Sequence, residues 1–318
     1  MATIKEKMRG FCWLAAGVVL TSCALHRQKF PDKTVPLPDR AQTGVLILAH
    51  GGSGAWNSAV RQTVESAQLN MPVQIAFGMG MHGNEVENLQ HAVDSLNRAG
   101  VNEIVAVPLL VSSYSEVMRQ YEYLLGASAH GPWEDHAKPV HSRAAIRIAR
   151  PLDDDPAVSE VLLDRAREIS RAPEQETIVL VAHGPNEDDD NVRWLQAMQR
   201  VADRVRQTGR FHAVVPVTMR DDAPDPVLAA ATAAMRERVQ DAGAAGRVLV
   251  VPLLIASGGV DHKIPQRLEG LDYVFQSKAL LPHPAISRWI ARHVAQATGS
   301  AASVDGEAKL DPATIATP

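Results

Sequence analysis

Histidine supplies the residues here whose type and placement suit metal chemistry. His50 closes the apolar run Gly44-Val-Leu-Ile-Leu-Ala-His50-Gly51, and His183 closes Ile178-Val-Leu-Val-Ala-His183-Gly184. A third, His262, follows Val248-Leu-Val-Val-Pro-Leu-Leu-Ile255 and the turn Ala256-Ser257-Gly258-Gly259. Neutral imidazole is borderline in softness, suits Co²⁺, Fe²⁺ or Ni²⁺, and changes protonation near physiological pH. Two such groups with carboxylates nearby hold a divalent ion while leaving coordination positions open. Carboxylates follow His183 as Glu187, Asp188, Asp189 and Asp190, and Asp261 precedes His262. Residues 187–190 also suit a helix start, where acidic side chains meet the positive end of the dipole.

The elements that must position these residues are written twice. Besides the two His-Gly phrases, Ile104-Val-Ala-Val-Pro-Leu-Leu-Val111 matches Val248-Leu-Val-Val-Pro-Leu-Leu-Ile255. The order is the same in both copies, and His50 to Pro108 is a similar span to His183 to Pro252. Such recurrence implies a duplicated module. Val-, Ile- and Leu-rich runs predict strands at 44–49, 72–77, 103–110 and 145–149, and again at 177–182, 212–218, 247–255 and about 272–276. Between them, Val86, Leu89, Val93 and Leu96, then Val192, Leu195, Met198, Val201 and Val205, recur at helical spacing. Continuous apolar strands alternating with amphipathic helices predict parallel sheets covered on both faces. The expected fold is α/β, two similar lobes at 43–172 and 173–298 with a cleft between them. Pro151-Leu-Asp-Asp-Asp-Pro156 starts a helix expected to close the first lobe. Ligands of open α/β sheets bind at the carboxyl ends of strands, where His50 and His183 fall.

The halves are unequal in chemistry. After Pro108-Leu-Leu the first half reads Val111-Ser-Ser-Tyr114-Ser-Glu116, without a histidine. Tyr114 or Glu116 would have to replace the imidazole there; otherwise this lobe has lost metal binding and shapes the cleft. His50 is followed by Gly51-Gly52-Ser53-Gly54, a turn that lets a flat ligand approach the backbone. His82, in Met79-Gly80-Met81-His82-Gly83, follows the second strand and faces the cleft on one reading. His130, His136 and His141 lie in a Pro- and Gly-bearing connector and read as surface loop.

Taken together, the strand ending in Ala-His-Gly, Asn191 downstream of His183, the Val-Pro-Leu-Leu strand, Gly258-Gly259 and His262-Lys-Ile-Pro265 resemble the sirohydrochlorin chelatases, the CbiX-like class II family. The resemblance covers roughly residues 43 to 295 and matches the family's two-module form. It implies a divalent metal, Co²⁺, Fe²⁺ or Ni²⁺, inserted into a sirohydrochlorin-type tetrapyrrole, with no organic cofactor. It assigns metal-binding and catalytic roles to His183, His262 and His50, and ligand contact to Gly51, Gly184, Gly258 and Gly259. The sequence departs from the pattern at His262, which stands closer to the proline than the family's histidine does. Lys263 also replaces the aspartate of Asp-Ile-Pro.

The ends suggest export. Lys5, Lys7 and Arg9 precede an apolar stretch from Phe11 to Leu20, too short to span a bilayer but suited to a signal peptide. Leu20-Thr-Ser-Cys23 resembles a lipobox, so residues 1–23 read as a lipoprotein signal and Cys23 as the lipidation site. Ala24-Leu25 then favours the periplasmic side of an outer membrane. Residues 24–42, with Pro31, Pro36 and Pro38, read as a tether, and 299–318 as a disordered tail. The two cysteines are Cys12 and Cys23, so a processed chain keeps no free thiol, which excludes a thiolate nucleophile or a Cys-ligated zinc. A formal net charge of −4 with mixed signs gives no basic surface for nucleic acid. Because tetrapyrrole synthesis is cytosolic, export favours an alternative role: a non-catalytic envelope lipoprotein that binds metal or metallo-tetrapyrrole.

Overall fold

A computed structural model describes residues 42–78 and 85–299. The expectations for Cys23, for residues 1–23, for nearly all of 24–42 and 299–318, and for His82 lie outside them. No helix among the described residues is long and apolar enough to cross a membrane.

The first half runs β1 (Thr43–Ala49), α1 (Gly54–Glu65), β2 (Val73–Phe77), α2 (Glu85–Arg98), β3 (Glu103–Pro108), α3 (Glu116–Leu124), β4 (Ala145–Ile148) and α4 (Pro156–Ile169). The second runs β5 (Glu176–Ala182), α5 (Asp188–Gly209), β6 (Ala213–Thr218), α6 (Asp225–Ala245), β7 (Arg247–Leu253), α7 (Lys263–Arg267), β8 (Val274–Phe275) and α8 (Pro284–Ala297). Two parallel four-stranded sheets result, in the orders β2-β1-β3-β4 and β6-β5-β7-β8. All eight predicted strands are present, each within a few residues of its expected bounds.

Central strands are buried on both faces, which is why their sequences are continuously apolar. Val45, Ile47 and Ala49 face a core shared by both sheets, while Leu46 and Leu48 face α2 and α3 on the other side. In the second sheet Ile178, Leu180 and Ala182 join the shared core, and Val179 and Val181 face α6 and α7. The recurring proline also has a structural place. Pro108 pairs with Leu48 and Pro252 with Val181, the same rung relative to each histidine. The Leu109 amide donates to Leu48 O at 2.8 Å, so the Pro108 nitrogen faces the opposite side, beyond the last rung of β4 at Ile148. No ladder bond is lost there.

The last helix of each half packs across the boundary between them. α4 packs on α5 and β7 of the second half, and reciprocally α8 packs on α1 and β3 of the first. Nearly every side of α4 is buried, through Ala157, Val158, Val161, Leu162, Leu163, Arg165 and Ala166. One sheet cannot cover a helix buried on so many sides, so α4 settles between the two. Polar bonds fix the exchange: Arg165 donates to Ala279 O and Pro282 O, each at 3.0 Å, and Arg292 of α8 pairs with Asp155, the N-cap of α4, at 2.8 Å. On the other side Ser287 of α8 donates to Thr63 O of α1 at 2.9 Å.

The two lobes also meet at the carboxyl-end rim. Arg119 of α3 pairs with Asp190 of α5 at 2.6 Å, and the Arg193 guanidinium lies 5.8 Å from the Tyr114 ring centre. A Cβ added at Gly258 would stand 3.0 Å from Ser53 Oγ.

Candidate metal centre

His50 and His183 each occupy the first position beyond the central strand of their sheet. Both make the same bond. His50 Nδ1 lies 2.9 Å from Gly51 O, and His183 Nδ1 lies 2.9 Å from Gly184 O. A carbonyl only accepts, so Nδ1 carries the proton and Nε2 of the neutral ring keeps its lone pair for a ligand. The following glycine makes this possible, with φ of 87° at Gly51 and 76° at Gly184, a left-handed conformation that side chains resist. Gly184 is constrained a second way, because a Cβ there would lie 2.5 Å from Thr218 Cβ. The recurring His-Gly is therefore a device that sets an imidazole's tautomer and direction.

What lies opposite Nε2 distinguishes the two sites. In the second half Asp222 Oδ2 is 3.3 Å from His183 Nε2. Two lone-pair donors facing at that distance suit a shared cation, either a proton or a metal. Donors each about 2.1 Å from one ion and about 100° apart are separated by about 3.2 Å, so the pair fits two adjacent positions of a coordination shell. Asp221, Asp222 and His183 form the one group of three metal-ligating residues among the described residues, with donor atoms within 4.8 Å of one another.

Asp221 and Asp222 differ in availability. The Asp221 side chain is only 3% exposed and is matched by Lys263 Nζ at 2.6 Å and by the Arg267 guanidinium. Its charge is already compensated by two cations. Asp222 is exposed and has His183 as its ion-pair partner. His183 and Asp222 are thus the free ligands, and Asp221 is the buried anchor that ties the end of β6 to α7. Reading acids adjacent to histidines along the chain missed this pair. The signal was Thr218-Met-Arg-Asp-Asp222, the exit of the strand paired with β5, since neighbouring parallel strands bring their carboxyl ends together.

The remaining expected site residues fall elsewhere. His262 is exposed on a short 3₁₀ turn (Val260–His262), its Nδ1 bonded to Gly259 O, and it does not join the His183 group. Lys263, beside it, instead reaches Asp221. Asp261 Oδ1 accepts from the Gly258 and Gly259 amides at 2.9 and 2.8 Å, so those glycines form a closed turn rather than a cradle with free N–H groups. Asp188 pairs with Arg220 at 2.6 Å and Asp190 with Arg119, and Asp188, Asp189 and Asp190 form the acidic first turn of α5. His50 is exposed, with no group of three metal ligands around it among the described residues. Phe77 stands at the end of the strand beside it, under the Arg61 guanidinium at 4.7 Å. Asn191 accepts from Thr218 Oγ1 at 2.7 Å, bracing α5 against β6.

The CbiX family model matches residues 44–169 and 177–297, one copy on each half. The chain belongs to the CbiX family. Among solved structures, SirB from Bacillus subtilis with Fe³⁺ superposes with a TM-score of 0.58 at 16% identity, covering 84% of this chain and 98% of that one. DR2241 from Deinococcus radiodurans, a multi-domain protein with structural similarity to chelatases, gives a TM-score of 0.52 at 19% identity. That match covers 80% of this chain but 55% of DR2241, so this CbiX-family chain spans about half of it. At these identities the likeness is one of fold. Comparison with curated protein sequences gives no match.

Proposed function

We propose that the chain is a chelatase-like protein that holds a divalent metal, Co²⁺, Fe²⁺ or Ni²⁺, at His183 and Asp222 for delivery to a sirohydrochlorin-type tetrapyrrole. Membership of the CbiX family supports a metal-chelatase-like function. The observation that carries the site is the 3.3 Å approach of His183 Nε2 to Asp222 Oδ2, with the tautomer set by Gly184 O. One imidazole and one carboxylate bind an ion loosely, as cargo needs, and leave positions open for macrocycle nitrogens. Either ligand accepts a proton as the metal leaves, so the site takes up protons released by the macrocycle.

A second reading, a binder without turnover, is favoured by the separation of His262 from the His183 group and by the full compensation of Asp221. Incubating the full-length chain with Co²⁺ and sirohydrochlorin separates the two. Multiple turnovers of metallated product support the chelatase; one bound metal per chain without turnover supports the binder; neither metal nor product rejects both. Anchorage at the cell envelope through Cys23 is part of the proposal, and unchanged lipid labelling in Cys23→Ala would remove it.

A further inference from the structure

Arg220 lies between the two ligand-bearing segments and contacts both. Its backbone is left-handed, with φ of 49°, a conformation that a non-glycine residue keeps only where its surroundings over-determine it. Its own amide donates to His183 O at 2.6 Å. The side chain is 10% exposed and turns back over the loop after His183. There Nε donates to Pro185 O at 3.0 Å, one terminal nitrogen bonds Asp188 Oδ1 at 2.6 Å, and the other bonds Asn186 O. Asp221 and Asp222 follow directly in the chain.

We propose that Arg220 is a positioning residue that locks the His183-Gly184 turn to the Asp221-Asp222 pair and so sets the spacing of the metal ligands. A planar guanidinium with donors in a fixed fork satisfies two successive carbonyls and a carboxylate at once; an ammonium, a single point of charge, cannot. With the 185–188 loop tied to the same residue that launches the acid pair, neither ligand moves without the other. Among the described residues the first half has no counterpart. The Gly78 amide donates to Ala49 O as Met219 donates to Ala182 O, and the sequence that follows Gly78 reads Met79-Gly80-Met81, without arginine or acid.

The inference rests on the metal reading of His183 and Asp222 for its purpose but not for its test. In the full-length, metal-free chain labelled with ¹⁵N-histidine, at alkaline pH where imidazole is neutral, wild type is expected to show His183 as one tautomer, protonated at Nδ1. Arg220→Met, which keeps the bulk and loses the donors, is expected to mix the tautomers and weaken Co²⁺ binding about 10–100-fold, the range seen when groups supporting metal ligands are removed. Arg220→Lys should fall between the two and serves alone if the methionine variant does not fold. A wild-type tautomer in a folded Arg220→Met, or full restoration of tautomer and affinity by lysine, would overturn the proposal. Should wild type bind no Co²⁺ while the tautomers still mix in the variant, the metal reading fails and the positioning role stands.

Discussion

The two halves share a backbone and differ in what it carries. Each sheet presents a histidine one residue beyond its central strand, with Nδ1 bonded to the next glycine's carbonyl at 2.9 Å. In the second half the adjacent strand exits into Arg220-Asp221-Asp222; in the first it exits at Phe77, stacked under Arg61. The histidine turn survives duplication because it follows from strand end plus left-handed glycine. The metal-ligating set depends on the neighbouring strand's exit, and only one half has acids there. The halves are also joined mechanically, since each covers part of the other's sheet with its last helix.

The largest effect is expected at that exchange. Trp289 of α8 is fully buried in the core between the sheets. Trp289→Ala should cost about 3–5 kcal/mol. Because α8 packs on the first sheet while following the second in sequence, urea unfolding should stay one transition at a lower midpoint. Two separated transitions, with one half unperturbed, would mean that the halves are independent.

The metal comparison comes next. His183→Ala should weaken Co²⁺ binding about 10–100-fold or more, with little loss for His262→Ala or His50→Ala, neither of which joins the His183 group. Calorimetric titration of the three variants measures it. Equal losses for His50→Ala and His183→Ala would break the asymmetry between the halves. Lowering the pH should weaken binding in wild type, since protonated imidazole cannot ligate.

The smallest effect is expected in stability against pH, again through the exchanged helix. Burial, aided by Arg165, holds His283 below the usual imidazole range against the opposing pull of Asp164 and Glu160. Burial likewise lowers His293 against Trp289 O and Asp155, with Arg292 adding to the lowering. The unfolded chain then takes up protons first as pH falls through about 6.5, so stability is full above that value and declines below it. His283→Asn, which retains a side-chain oxygen to cap α8, should flatten the decline in urea midpoint between neutral and mildly acidic pH. An unchanged slope in His283→Asn and His293→Asn would place the acid sensitivity elsewhere.

Much of this protein was legible in its sequence because its signals are local. Continuous Val, Ile and Leu runs must be buried on both faces, so strands such as Ile178–Ala182 identify themselves and imply parallel sheets under helices. His-Gly at a strand end announced both the duplication and the edge that carries chemistry. Tertiary structure decided what depends on which segments become neighbours. Asp222 reaches His183 only because β6 lies beside β5. Asp221 is withdrawn as a ligand only because α7 brings Lys263 and Arg267 against it. The helix 156–169 reads as the end of the first module by chain order, yet burial on nearly every side requires cover from the second. Propensity and patterning act over a few residues and are written in the chain. Ligand geometry and helix exchange arise from packing between segments tens of residues apart, and the fold sets those distances.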